Sequence, residues 1–170
     1  MTSPQGLHRG LEVMFQFARQ ERYADALLLG EELRLQNPSD AKVPAQLGYV
    51  HARKQDFDAA IREISTALRL APDEPAYYFD RALWNLEAGH LSDAIADCTS
   101  SIAIETGLNR RYYLGPSYFV RAVANARRGE YQSALDDCQH VADDTVFWAL
   151  GELQSKNVLI EQLTKRLGPP

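Results

Sequence analysis

The sequence predicts an all-α fold, a stack of antiparallel helix pairs that ends in a C-terminal capping helix. Two observations support this prediction. The stretch from Tyr78 to Cys98 recurs from Tyr118 to Cys138, with nine of its 21 positions identical and in register. Turn-like segments recur as well, and each ends at an alanine: Ala26, Ala60 and Ala94 are spaced by 34 residues. A unit of that length is too short to form a core alone, so neighbouring units must share one.

Each repeat is predicted to contain two short helices joined by a turn. Pro38 and Pro72, also 34 residues apart, each follow an amphipathic run, where a missing amide N–H would end a helix. Within these runs apolar residues such as Ile61, Ile64 and Leu68 recur at three- and four-residue steps. Helices this short do not persist alone, so the pairs are expected to stack.

The period, the aromatic or Leu in the turn, the small residues at crossing points and the closing Pro resemble the tetratricopeptide repeat family. On that resemblance the repeats cover approximately residues 7–40, 41–74, 75–108 and 115–148. The small residue of the second helix is matched by Ala26, Ala60, Ala94 and Ala134. That of the first helix is matched by Gly48, Ala82 and Ala122, whereas the first repeat has Met14. The resemblance implies one right-handed superhelical domain over residues 1–170.

The segment that follows the fourth repeat is predicted to be one amphipathic helix over approximately residues 145–167. Asp144 or Thr145 can cap its start, while Lys165 and Arg166 suit the dipole at its C-terminal end. Its apolar residues return at helical steps: Val146, Leu150, Leu153, Ile160, Leu163 and Leu167. Such a helix would cover the last apolar face of the stack. The alternative is a helix that moves or mediates dimerisation.

Composition argues against nucleic-acid and membrane partners. The 170-residue chain has a net charge of −5 and a pI of about 5.4, whereas nucleic-acid binding needs clustered Lys and Arg. No stretch approaches the roughly 18 apolar residues of a membrane span, and the N-terminus lacks a signal-peptide pattern. We therefore expect a cytoplasmic protein, for which a basic partner is easier to accommodate.

The sequence contains no recognisable active site, metal site or cofactor motif. Its four histidines stand singly, without the paired spacing that aims two ligands at one metal: His8, His51, His90 and His140. Cys98 and Cys138 hold the same repeat position and are expected to be buried thiols, a redox pair being the alternative. The neighbouring acids in "ADD" and "LDDC" are predicted to be solvated. We expect neither enzymatic activity nor a cofactor.

Surface residues are therefore the candidates for function. In tetratricopeptide repeat proteins the first helices line a concave groove, and the resemblance places an apolar series there: Leu11, Phe15, Ala45, Tyr49, Phe79, Leu83, Phe119 and Val123. Charged candidates on the same helices are Arg53, Asp80, Glu87 and Arg127. Large apolar groups on such a face either receive a partner segment or form the protein's own core. The arginines either bind an anionic partner or favour the dipoles of their helices.

Six extra residues between the third and fourth repeats form a second candidate surface. The segment contains glycines and a proline, which predict a loop, and it adds Arg110, Arg111, Tyr112 and Tyr113 to an acidic chain. Arg and Tyr are enriched at interface hot spots. The alternative is a spacer whose tyrosines fold back over the helices.

The leading functional hypothesis is a non-enzymatic module that binds one protein partner, as an adaptor or a chaperone. That partner could be basic or could present an amphipathic helix. One branch of the family clamps the C-terminal carboxylate of heat-shock chaperones with Lys and Asn, and those positions hold no cation here: Leu11, Phe15, Gln46, Ala76 and Asp80. The alternatives are an immunity protein that neutralises a cognate toxin and, from another class, an unrecognised enzyme.

Overall fold

The computed structural model describes residues 3–149 and 152–168, which are almost entirely helical. The helices are α1 (Pro4–Arg19), α2 (Tyr23–Gln36), α3 (Lys42–Arg53), α4 (Phe57–Leu70), α5 (Pro75–Glu87), α6 (Leu91–Gly107), α7 (Leu114–Arg128), α8 (Tyr131–Cys138) and α9 (Lys156–Leu167). Two short strands, β1 (Val146–Ala149) and β2 (Glu152–Ser155), precede α9. The predicted fold class, an all-α stack of helix pairs, is confirmed.

The helices belong to two compact units, here called unit 1 (Met1–Tyr77) and unit 2 (Tyr78–Pro170). Unit 1 contains α1 to α4 and the first residues of α5, and unit 2 contains the remaining elements. The predicted single domain over residues 1–170 stays a prediction.

The turn inside each of the four helix pairs is built in the same way. One residue per turn has a left-handed backbone, with φ between 60° and 83°: Glu21, Gln55, Gly89 and Gly129. The following amide N–H donates to a carbonyl near the end of the first helix, for example Arg22 N to Phe17 O at 2.9 Å and Glu130 N to Asn125 O at 2.9 Å. These bonds satisfy carbonyls that the helix end leaves free, so each turn also terminates its helix.

The core of unit 1 is apolar and closely packed. Its buried members come from α1, α2 and α3: Leu7, Met14, Ala18, Ala26, Leu33, Val43, Leu47 and Val50. Met14, which departs from the small residue of the family pattern, is fully buried opposite Gly30. A Cβ at Gly30 would lie 2.7 Å from Met14 Cε and would also clash with Leu47. The glycine of α2 therefore supplies the space that the methionine of α1 fills.

The core of unit 2 is larger and includes the C-terminal helix. Buried residues from α5 to α8 pack with Leu159 and Leu163 of α9, which are 4% and 2% exposed. The start of α9 is held by Lys156, whose Nζ donates to Val141 O and to Asp143 Oδ1, both at 2.7 Å. This helix therefore covers an apolar face of unit 2. Among the described residues, no helix is both long and apolar enough to span a bilayer.

The predicted helix over residues 145–167 is wrong in its first half. Residues 146–149 and 152–155 form an antiparallel hairpin in which Val146 pairs with Ser155, and α9 starts only at Lys156. The local sequence "VFW" is rich in β-branched and aromatic residues, which favour strands over helices. Ser155 then caps α9 by accepting a hydrogen bond from Val158 N at 3.3 Å. Leu150, which belonged to the predicted helix, lies outside the described residues.

Candidate functional site

The most exposed aromatic pair on the first helices lies in unit 1. The rings of Phe15 on α1 and Tyr49 on α3 stack with their centroids 5.3 Å apart and their planes at 27°. Phe15 is 38% exposed, while Tyr49 and Leu11 are half-buried. The guanidinium of Arg19 lies 5.9 Å from the centre of the Phe15 ring. Three predicted site residues, Leu11, Phe15 and Tyr49, thus belong to a partly exposed surface in unit 1, here called the α1–α3 surface.

This surface follows from the pattern of α1. Leu7, Met14 and Ala18 are spaced at helical steps and face the core, which directs Leu11 and Phe15, one turn apart, to the flank of that buried stripe. Position 15 is therefore only partly covered by α3. A phenylalanine there leaves part of its ring in water, an arrangement that the packing of unit 1 does not require.

An open groove of about 660 Å³ adjoins the α1–α3 surface. Its lining comes mostly from α1 and mixes apolar and polar side chains: His8, Leu11, Glu12, Phe15, Gln16 and Gln46. Gln46 Nε2 is buried and has no hydrogen-bond partner among the residues that the structure describes. An unpaired buried donor of this kind costs about 1–3 kcal/mol.

The predicted site residues of unit 2 are in a different environment. Phe119 is fully buried, Phe79 is 8% exposed, and both belong to the core together with half-buried Leu83. Of the two alternatives left open for the apolar series, the structure therefore favours core for Phe79 and Phe119. The reason is that α6, α7 and the segment before α7 close over these rings, with Tyr113 lying 5.4 Å from Phe79 between ring centres.

The charged candidates differ in how far they can reach a partner. Arg53 and Arg127 are exposed, and Glu87 is half-buried. Burial raises the pKa of Asp80 to about 7, because the loss of water around its carboxyl group disfavours the charged form. Asp80 is therefore a poor fixed charge near neutral pH and a weaker candidate than the two arginines.

The loop before α7 is half folded back and half exposed. Tyr113 packs against Phe79, and its amide N donates to Glu105 Oε2 at 3.0 Å, so this tyrosine follows the spacer alternative. Tyr112 is 79% exposed, and Arg110 and Arg111 are also exposed. The part of the loop that remains available to a partner is thus residues 110–112.

The repeated sequence stretches encode a duplicated polar network in unit 2. Asp97 accepts hydrogen bonds from Arg81 at 2.7 and 2.9 Å and from Asn85 at 3.1 Å. Forty residues later the same set recurs: Asp137 accepts hydrogen bonds from Arg121 at 2.6 Å and from Asn125 at 3.2 Å. The hydrogen bonds to Asp97 and Asp137 raise the pKa of Arg81 and Arg121. Each network ties the two helices of one pair together.

This network corrects the prediction that the acids of "LDDC" are solvated. Asp136 is exposed, but Asp137 is only 5% exposed and is fully engaged by Arg121 and Asn125. Adjacent helix positions point to different sides, so one acid faces water and the other faces the partner helix. The signal in the sequence was the joint recurrence of Arg, Asn and Asp in register.

The cysteines are buried thiols. Cys98 and Cys138 are free and essentially inaccessible, and burial raises the pKa of Cys98 and raises that of Cys138 to about 11. Both thiols are therefore poor nucleophiles. Within residues 3–149 and 152–168, no group of three or more His, Cys, Asp or Glu side chains is placed to hold a metal ion.

Comparison with known proteins supports the repeat reading. The family model described as "Tetratricopeptide repeat" matches residues 45–105. Hsp70-Hsp90 organizing protein 1 of Arabidopsis thaliana is 31% identical over 93 residues, which cover 55% of this chain but only 15% of that protein. The chain thus corresponds to a small part of this relative.

Solved structures match over a larger share of the chain. MamA superimposes with a TM-score of 0.67 and 18% identity, covering 79% of this chain and 75% of MamA. The Yersinia enterocolitica type III secretion translocator chaperone SycD gives a TM-score of 0.65 and 20% identity, covering 78% and 90% of the two chains. SycD has also been crystallised with a peptide of the translocator YopD. At this identity the likeness concerns the fold alone, and the family-model match over residues 45–105 supports a tetratricopeptide repeat protein.

Proposed function

We propose that this protein is a non-enzymatic interaction module that binds a segment of one partner protein on the α1–α3 surface of unit 1. The observation that carries the proposal is the stacked pair of Phe15 and Tyr49, whose apolar rings stay partly exposed beside Leu11. Apolar groups that face water without a packing reason are typical of docking sites. Aromatic residues also dominate the binding energy of protein interfaces.

The chemistry of the surface favours a short amphipathic segment as the ligand. The aromatic pair offers a stacking platform for an apolar side chain of the ligand. Glu12 and Arg9 both line the groove, so it is the net charge of −5 that favours a ligand with basic residues outside its apolar face. Such a ligand would bury its apolar face on α1 and α3 and keep its charges in water.

A chaperone-like role is supported by the fold shared with SycD, which has been crystallised with a translocator peptide. An adaptor role is supported by the sequence similarity to Hsp70-Hsp90 organizing protein 1. The positions of the heat-shock carboxylate clamp lack cations here, so we do not extend the proposal to heat-shock chaperone tails. The immunity hypothesis gains no support from the comparisons. A cytoplasmic location remains part of the proposal.

The test is selection of peptide ligands from a displayed library, followed by affinity measurements on purified variants. Phe15→Ala should weaken the selected peptides by about tenfold or more, because a central aromatic anchor contributes roughly 2 kcal/mol. Leu28→Ala is the matched control, since Leu28 is 66% exposed on α2 and does not line the groove. Both variants should melt close to the unmodified protein. Peptides that bind Phe15→Ala as tightly as the parent would contradict the proposal.

A further inference from the structure

A second groove lies within unit 2, where α7, the start of α8 and α9 meet. It encloses about 270 Å³. Its floor is apolar, formed by Val123, Leu159 and Leu163, which are 5%, 4% and 2% exposed. Its rim carries two arginines, Arg127 from α7 and Arg166 from α9, together with the amide of Gln162. Arg127 and Arg166 are 39 residues apart in the sequence, and they line the same groove only because of the fold.

The ion pairing of neighbouring residues sets these two arginines apart. Arg128 contacts Glu130 at 2.8 Å, and Lys165 contacts Glu161 at 2.6 Å. Arg127 and Arg166, one position away in each helix, form no ion pair with the residues that the structure describes. The helix dipole favours any cation in a last turn, so it accounts for all four charges but not for this difference. The unpaired cations are the two that line the groove.

We propose that this groove binds an acidic peptide segment, with a Glu or Asp carboxylate between Arg127 and Arg166 and an adjacent apolar side chain on the floor. Guanidinium groups bind carboxylates through paired, charge-assisted hydrogen bonds, which gives the rim its ligand chemistry. A simple anion has no apolar group that could pack on the floor, whereas a peptide can place an apolar side chain there. The groove is smaller than the roughly 300–1,000 Å³ of pockets that enclose a whole small ligand. Its size therefore suits one or two side chains of a longer peptide.

The site is independent of the α1–α3 surface, which lies in unit 1 and favours a basic amphipathic segment. It also differs from the heat-shock carboxylate clamp considered above, whose positions lie on other helices and hold no cation. The signal for it was absent from the sequence, because the repeat pattern placed Arg127 on a first helix but did not relate it to Arg166.

The test is an NMR titration of the full chain with labelled methyl groups and arginine side chains. The probes are the blocked tetrapeptide acetyl-Leu-Glu-Leu-Glu-carboxamide, its Gln counterpart and inorganic phosphate. The acidic peptide should shift the methyl signals of Val123, Leu159 and Leu163, and its affinity should fall as salt is added. Arg127→Gln and Arg166→Gln should each weaken it by about tenfold or more. Arg128→Gln, the matched control, should leave it within about twofold.

Several results would overturn the proposal. One is the absence of methyl shifts with the acidic peptide up to about 10 mM, a concentration beyond which binding is too weak to be specific. Equal affinity for the Gln peptide would show that the carboxylate is not recognised, and equal methyl shifts with phosphate would show a site for simple anions. If Arg128→Gln weakened the peptide as much as Arg127→Gln, the loss of affinity would reflect the change in net charge alone. Phe15→Ala should not change this binding, so the outcome is separate from that of the α1–α3 surface.

Discussion

Units 1 and 2 use the same helix-turn-helix repeat but hold it together differently. In unit 2, Arg81 and Arg121 form buried networks with aspartates of the paired helix. In unit 1 the position 34 residues before Arg81 is Leu47, which is fully buried in an apolar core. Glu63, 34 residues before Asp97, pairs instead with Arg34 of α2 at 2.8 Å. The repeat therefore specifies where the helices lie, and either apolar packing or buried polar networks can hold them.

The units also differ in what they do with the aromatic residues of their first helices. Unit 2 buries Phe79 and Phe119, whereas unit 1 leaves Phe15 partly in water against Tyr49. A buried ring contributes to stability, and an exposed ring contributes to binding only when a partner covers it. Phe79 and Phe119 of unit 2 are therefore core residues, whereas the proposed function gives Phe15 of unit 1 a role in binding.

Removal of the capping helix should affect unit 2 most severely. A chain that ends after Ala142 loses Leu159 and Leu163, and with them the cover of the unit 2 core. We expect aggregation and binding of a hydrophobic dye, measured by size-exclusion chromatography and fluorescence. A chain that ends after Leu167 is the control and should behave as the parent. A monomeric, cooperatively folded protein after the first truncation would show that α9 is dispensable.

Truncation of aromatic rings should separate the two units directly. Phe119→Ala should lower the free energy of unfolding by about 3–5 kcal/mol, because it leaves a cavity in a packed core. Phe15→Ala should lower it by about 1 kcal/mol or less, since much of that ring is in water. Urea denaturation followed by circular dichroism measures both. Similar losses in the two variants would remove the distinction between core and surface.

Loss of a networked aspartate should destabilise unit 2 by about 3 kcal/mol. Asp137→Ala leaves the largely buried guanidinium of Arg121 without its partner. The adjacent Asp136 is exposed and its carboxylate accepts a hydrogen bond from Gln132, so Asp136→Ala is the matched control and should cost about 0.5 kcal/mol or less. The double variant Arg121→Met with Asp137→Leu should recover much of the loss, because an apolar pair can replace a buried ion pair. Thermal denaturation decides whether unit 2 depends on this charge pair.

Asp80 is a further carboxylate of unit 2, and it forms no ion pair with the residues that the structure describes. Its pKa is raised from an ordinary value of 3.8 to about 7, so folding favours the protonated form. The resulting contribution to stability is present below about pH 4 and is lost as pH rises through 7. Asp80→Asn should therefore gain stability relative to the parent between pH 4 and 8, on the order of 2 kcal/mol. A constant difference across that range, measured by urea denaturation, would refute the burial effect.

Substitutions in the turns inside the helix pairs should have the smallest effect on stability. In these turns the backbones of the two units are alike. Glu21 and Gln55 occupy left-handed positions in unit 1 with φ of 60° and 64°, where unit 2 has Gly89 and Gly129. Glu21→Gly should stabilise by roughly 0.5–1 kcal/mol, because strain is relieved at some cost in chain entropy. Gly129→Ala should destabilise by about 1 kcal/mol, since an added Cβ meets nothing within 4 Å and only the backbone is strained. Melting temperatures of both variants would show whether the turns are equivalent.

Much of the fold could be predicted from the sequence, because the signals were local and repeated. The spacing of Ala26, Ala60 and Ala94 reflects a packing requirement that recurs in the helix pairs, and Pro38 and Pro72 follow the ends of α2 and α4. The hairpin of residues 146–155 was missed, since a four-residue strand with helical spacing around it has no unambiguous period. Short segments of this kind take their structure from what they pack against.

The candidate sites were less predictable, because exposure is a property of the whole packing arrangement. The sequence by itself determined the helix pairs, their turns and the residue types on each first helix. Only the tertiary structure decided that Phe119 is buried while Phe15 reaches water, and that Arg127 and Arg166 share a groove. The physical reason is that periodicity sets the direction of a side chain within its own helix. The neighbouring elements decide what covers that side chain and which distant charges it meets.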